Sequence, residues 1–168
     1  MEQPLLPSAL DVLASTPATL RALLGGLPDN VTSASGDEGW SPKDVVAHML
    51  STHGPALIER VRTIVEQKGA RVPNVDEQAT LERSGLRSQP LPALLDEFAR
   101  RRAQDIGWLR ALTPEALVRT GQHEIAGAVS AADIVHHVAW HDLLHIGQIC
   151  RMLAAPLHER RGAMRAFS

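Results

Sequence analysis

The sequence predicts an all-α protein built as a four-helix bundle, and three observations carry that prediction. Apolar residues recur at helical spacing through most of the 168 residues. Strand signals are nearly absent: tyrosine is missing, aromatics make up 3%, and no segment alternates apolar and polar residues for long. The periodic stretches fall into four main helices with one long connection, an arrangement that packs as a bundle. At 18.2 kDa, with 44% apolar and 21% charged residues, the chain (1–168) is read as a single domain able to bury a real core.

The first helical region spans about residues 8–25, with Leu10, Leu13, Leu20, Leu23 and Leu24 on its apolar side. Pro17 predicts a kink or a fresh start there, with Thr16 as its N-cap, and Gly25-Gly26 end the region. The second helix has a clear beginning. Ser41 is an N-cap candidate, Pro42 stands at the first helical position where its missing amide hydrogen costs nothing, and Asp44 completes a capping box. It is expected to bend near Gly54-Pro55 and continue to about Lys68, with Trp40 stapled against an apolar residue one turn in.

Residues 69–90, with Pro73, Gly85 and Pro90, read as a long connection that either crosses over the bundle or lies over a site. The third helix covers roughly residues 92–112, with Leu94, Leu95, Phe98, Trp108, Leu109 and Leu112 facing the core. A short helical piece after Thr113-Pro114 and an irregular stretch, 121–127, lead to the fourth helix. Ser130 with Asp133 forms its capping box, and Pro156 is expected to end it.

Composition excludes several functions. A net charge of -2 and a pI near 6.4 give no electrostatic footprint for nucleic acid. The triplet Arg100, Arg101 and Arg102 reads as a solvated helix face. No apolar run reaches membrane-spanning length, and the N-terminus lacks the basic start and apolar stretch of a secretory signal, so the expected location is cytoplasmic. One cysteine, Cys150, read as a small buried hydrophobe, rules out an internal disulfide and a cysteine-built zinc site.

Chemistry concentrates in the fourth helix. His141 and His145 stand four apart, so both imidazoles share one face, and that face also carries Ile134, Val138, Gln148, Ile149 and Met152. Two histidines turned toward a core each need a hydrogen-bond partner or a metal. One divalent ion satisfies both; polar-contacted core histidines or a half-exposed helix face are the plainer alternative. A metal site needs a third ligand, for which His48 on the well-capped second helix leads. Three imidazoles suit zinc, nickel, cobalt or iron(II) and leave positions open for water or substrate. His137 is a possible fourth ligand or supporting donor, and Asp142 a possible orienting group, although a surface carboxylate is its commoner fate. His53, His123, His136 and His158 read as surface or loop residues.

The phrases WSPKDVVAHM at 40–49 and WHDLLHIGQI at 140–149, with the HDxxHxxQI pattern as their specific part, resemble the DinB-like family of DinB/YfiT metalloenzymes. TPATLRALLGGL and FARRRAQDIGWLRALTPEAL fit as well, so the resemblance covers nearly the whole chain. It implies an up-down-down-up bundle paired as a homodimer. It also implies nickel or zinc held by His48, His141 and His145. Relatives include thiol S-transferases that use low-molecular-weight thiols, and isomerases or hydrolases of thiol conjugates. The expected function is therefore a metal-dependent enzyme acting on a small thiol or thiol conjugate, the metal presenting a thiolate or hydroxide at neutral pH. The rivals are a metal-dependent hydrolase, a non-catalytic metal-binding or stress-related bundle, and a plain dimeric helical module.

Overall fold

The computed structural model describes residues 7–36 and 39–167. The reading of the N-terminus as free of a secretory signal begins in the first six residues, which lie outside the described ones. Helix α1 spans Pro7–Leu24 without a break. Pro17 has no amide hydrogen for the Leu13 carbonyl, and Arg102 Nη1, 3.4 Å away, takes that place. Thr16 is therefore no cap. Its hydroxyl donates to the Val12 carbonyl at 3.0 Å and to Asp142 Oδ2 at 2.8 Å. A single turn, α2 (Asp29–Thr32), follows.

The second rod is α3 (Pro42–Thr52), a π-helical turn (His53–Ile58) and α4 (Glu59–Glu66) in continuous succession. Its capping box is formed: the Asp44 N–H donates to Ser41 Oγ at 3.2 Å and the Ser41 N–H to Asp44 Oδ2 at 2.9 Å. The bend expected at Gly54-Pro55 is the wide turn, in which the Glu59 N–H reaches back five residues to the Gly54 carbonyl. Pro55 cannot donate to Ser51, and widening the turn absorbs the gap.

The connection to the third rod holds β1 (Arg71–Val72), α5 (Glu77–Ser84) and a 3-10 turn at Leu86–Ser88. Asp76 caps α5 by accepting from the Ala79 N–H at 2.9 Å, and Gly85, at φ 66°, ends it in the left-handed region. The third rod is α6 (Leu91–Arg110), followed by the Thr113-capped turn α7 (Pro114–Leu117).

Where an irregular stretch was expected, β2 (Thr120–His123) and β3 (Gly127–Ser130) form an antiparallel hairpin, and β1 joins β2 in parallel. Gly127, at φ 75°, closes the three-residue turn. A Cβ on Gly121 would stand 2.9 Å from both the Ala70 carbonyl and an Ile64 side-chain carbon. Only glycine lets this small sheet lie against the end of the second rod.

The fourth rod, α8, is the 29-residue helix Ala131–Glu159, opened by the Ser130/Asp133 box. It runs through Pro156, contrary to expectation. The proline falls in the last, solvent-exposed turn and forfeits a single hydrogen bond, to the Met152 carbonyl.

Two core layers fix the rod directions. One joins Ala9 and Leu13 of α1, Val61 and Ile64 of α4, Ile106 and Leu109 of α6, and Val135 and Val138 of α8. The other joins Leu20 and Leu24, Val46 and Leu50, Leu94 and Phe98, and Ile149. The first and fourth rods therefore run one way and the second and third the other: up, down, down, up. Two successive parallel rods require a connection that returns the length of the bundle, which is why residues 67–90 are long. Among the described residues no helix is long and apolar enough to cross a membrane.

Candidate metal centre

His48 sits in the second turn of α3, whose phase is set by the Ser41 cap, and points into the bundle with 4% of its surface exposed. α8 lies antiparallel beside it and presents His141 and His145 one turn apart. One nitrogen from each of the three rings lies within 4.8 Å of the other two. The Nε2 atoms of His141 and His145 are 3.0 Å apart. The His48 ring centroid stands 4.7 Å from that of His145 and 5.6 Å from that of His141. The structure thus brings together the three histidines singled out in the sequence.

Two supports fix the rings. His145 Nδ1 pairs with Gln148 Oε1 at 2.8 Å, which leaves Nε2 directed at the cluster. The indole of Trp40 meets the His48 ring edge-on at 5.3 Å, so the tryptophan covers the site besides packing on the core. Burial disfavours the charged form of two of these imidazoles, His48 and His145. Burial first, then the His145 imidazole, push His48 down to about 4, and the opposing pull of Glu77 is weaker. Burial likewise holds His145 below its ordinary value, against the Gln148 hydrogen bond. Neutral imidazole is the metal-binding form.

The donor set fits a divalent transition ion. Two donors bound at about 2.1 Å to one ion lie about 3.0 Å apart at a right angle and about 3.4 Å at the tetrahedral angle, and His141 and His145 already stand at such a separation. His48 Nδ1 is buried without a hydrogen-bond partner, a donor atom that the protein itself does not satisfy.

Glu77 is the residue that sequence reasoning missed. The connection carries it on α5 to the cluster, with Oε2 3.3 Å from His48 Nε2 and 3.9 Å from His141 Nε2. The His141 imidazole, and secondarily the His48 ring, hold its carboxyl below its ordinary value although burial opposes this. At neutral pH it is a carboxylate. The only signals for it were the length of the connection and the Asp76 cap that places Glu77 in a first helical turn.

Asp142 neither touches the cluster nor lies on the surface. It is 2% exposed and binds Arg102 and Thr16 beneath the site, so Arg102 is no solvated residue either. His137 is exposed, stacks on Trp140 at a centroid distance of 5.5 Å, and stays 6.3 Å from His141. His53, expected on the surface, is buried in the π-helical turn and pairs with Asp105. Cys150 is exposed rather than buried. A cleft beside the cluster is lined by Thr52, His53, Arg60, Glu77, His137 and His141, with Arg102 and Asp142 at its floor.

An up-down-down-up bundle whose second and fourth rods converge three imidazoles defines a class, the helical bundles with a histidine centre between facing helices. The family model of the DinB superfamily matches residues 13–149, and the chain belongs to that superfamily. Among solved structures it is similar to YfiT from Bacillus subtilis, described as a probable metal-dependent hydrolase with an unusual four-helix bundle topology. The two share 20% identity and superpose with a TM-score of 0.78 over 92% of this chain and 86% of that one. A comparison with curated proteins returns no match.

Proposed function

We propose that His48, His141 and His145 bind one divalent transition metal, nickel or zinc, and that the protein is a metal-dependent enzyme acting on a small molecule. The observation that carries this reading is the convergence of three imidazoles with a carboxylate, Glu77, beside two of them. An ion held there supplies Lewis acidity, lowering the pKa of water or a thiol brought to it. Glu77 Oε2, 3.3 Å from His48 Nε2 and 3.9 Å from His141 Nε2, is the carboxylate that would take up a proton at this centre. Gln148 holds the His145 ring in register through the turnover, and the buried Arg102–Asp142 pair keeps the cleft floor from collapsing.

Hydrolysis is the reaction this arrangement supports best, since water needs only the ion and Glu77; the similarity to YfiT, described as a probable metal-dependent hydrolase, agrees. Transfer of a low-molecular-weight thiol requires in addition a pocket for the thiol's body, and it is the alternative outcome of the test. The expected assembly is a cytoplasmic homodimer formed through Trp140, Leu143 and Leu144, which lie exposed on α8.

The experiment is elemental analysis of tag-free protein and its His48→Ala and His145→Ala variants, followed by assay of the metal-loaded protein with esters, amides and thiol conjugates. About one ion per chain in the parent and none in either variant is the expected result. Full metal content in the His145→Ala protein would overturn the assignment.

A further inference from the structure

Apart from the histidine cluster itself, the charged groups lining the cleft sort into those that are matched and those that are not. Arg102 is consumed by Asp142, which binds it with both oxygens, and His53 is consumed by Asp105. Arg60 and Glu77 remain. Glu77 turns to the histidines. Arg60 is held by one hydrogen bond, Nη2 to the Pro73 carbonyl at 2.9 Å, and its Nε is buried without a partner. Among the described residues it forms no ion pair.

An arginine pinned through one of its five donors, with the Glu77 and Glu124 carboxylates acting on it only from beyond ion-pair distance, at the wall of a cleft shared with Glu77 and His141, has donors left to receive something. A divalent ion at the histidines would add two positive charges to those of Arg60 and Arg102, against the carboxylates of Glu77, Asp142 and Glu124, so that with the His53–Asp105 pair set aside the occupied cleft keeps an excess of about one positive charge. An anionic ligand is what this field concentrates. The planar guanidinium fork selects further, since it matches the two oxygens of a carboxylate.

We propose that Arg60 anchors a carboxylate of the substrate, so that the substrate class is a small molecule bearing a carboxylate close to the group that meets the histidine centre. Arg60 is thus a binding and specificity residue. The inference rests on the metal-centre reading above, and the test separates the two.

Cobalt(II)-loaded protein is titrated with 3-mercaptopropionate and with 3-mercaptopropan-1-ol, then with the shorter pair mercaptoacetate and 2-mercaptoethanol. Binding is read from the thiolate-to-cobalt charge-transfer absorption. In each pair the two probes share the thiol that meets the ion and differ in whether a carboxylate or a hydroxyl sits at the far end. In the parent protein the better-fitting acid is expected to bind at least about tenfold more tightly than its alcohol. Arg60→Gln is expected to reduce that preference to about twofold, with cobalt content unchanged, and Arg60→Lys to retain part of it. Equal binding of acid and alcohol by the parent at both lengths overturns the proposal, whether or not the variants fold. So does a preference that survives in Arg60→Gln, which would assign it to the ion's charge alone. Failure of the parent to take up cobalt overturns the metal-centre reading itself, and this inference with it.

Discussion

Arg102 and Asp142 meet in a two-pronged buried ion pair, Nη1 to Oδ2 at 2.6 Å and Nη2 to Oδ1 at 3.2 Å, each side chain 2% exposed. The pair joins three rods, since Thr16 of α1 also donates to Asp142 and Arg102 reaches the Leu13 carbonyl that Pro17 leaves vacant. It lies between the two core layers, one residue from His141.

Removing one partner strands a buried charge. Asp142→Ala is expected to destabilise the protein by about 3–5 kcal/mol, and to lower Tm by roughly 10 °C for a chain of this size. Arg102→Met combined with Asp142→Leu, which removes both charges, is expected to lose less than Asp142→Ala alone. Urea unfolding of the three proteins measures this. Asp142→Ala within about 1 kcal/mol of the parent would show that Arg102 is not stranded without its partner.

Gln148 is expected to act on metal affinity and hardly on folding. Its oxygen meets His145 Nδ1, and Gln148→Leu leaves that ring free to turn. Such outer contacts are worth about 10–100-fold in metal affinity. Competition titration against a coloured chelator reads the shift, and an unchanged affinity would show that α8 alone orients the ring.

The rods were legible because their punctuation is local: Ser41 with Asp44, Ser130 with Asp133, and an apolar residue every three or four positions. His141 and His145 were legible as a pair for the same reason, and His48 because its helix begins unambiguously. Contacts between distant segments were not. Glu77 reaches the site only because two parallel rods force a long return path, and Asp142 is buried only because Arg102 faces it from another rod. His53 was misplaced because the π-helical turn shifts the helix phase, bringing inward a position that a regular helix with a break at Pro55 leaves at the rim. The hairpin escaped because strands of four residues, two of them opening or containing glycine, show no alternation.

Stability of the metal-free protein is expected to fall as pH drops from about 6.5 to about 4. His48 titrates near 4 in the fold and at 6.5 as a free side chain, so the unfolded chain binds the extra proton in that window. Stability therefore rises with pH there, is fully present above the unfolded value, and is lost below the folded one. The contribution is on the order of 3 kcal/mol for a shift of this size, and the downward shift of His145 acts in the same direction. Denaturant melts of metal-free parent and His48→Gln between pH 4 and 7 measure it. Parallel profiles for the two proteins would show that His48 is not the group responsible.

The apolar stripe on α8 supplies the last prediction. Trp140 is 55% exposed, Leu143 53% and Leu144 46%. They stand at i, i+3 and i+4, so they form one ridge on the helix surface, on the side of α8 away from the core residues Val138 and Ile149. Single exposed leucines are ordinary, but a tryptophan flanked by two leucines on one helical ridge is a patch suited to burial against its own copy. Sedimentation velocity of the parent is expected to give a dimer, and Leu143→Glu with Leu144→Glu a monomer, because placing four carboxylates in a twofold interface is prohibitive. Metal content is expected to stay the same, since neither leucine touches the histidine cluster. A monomeric parent at micromolar concentration would leave the ridge solvated and remove the basis for the homodimer.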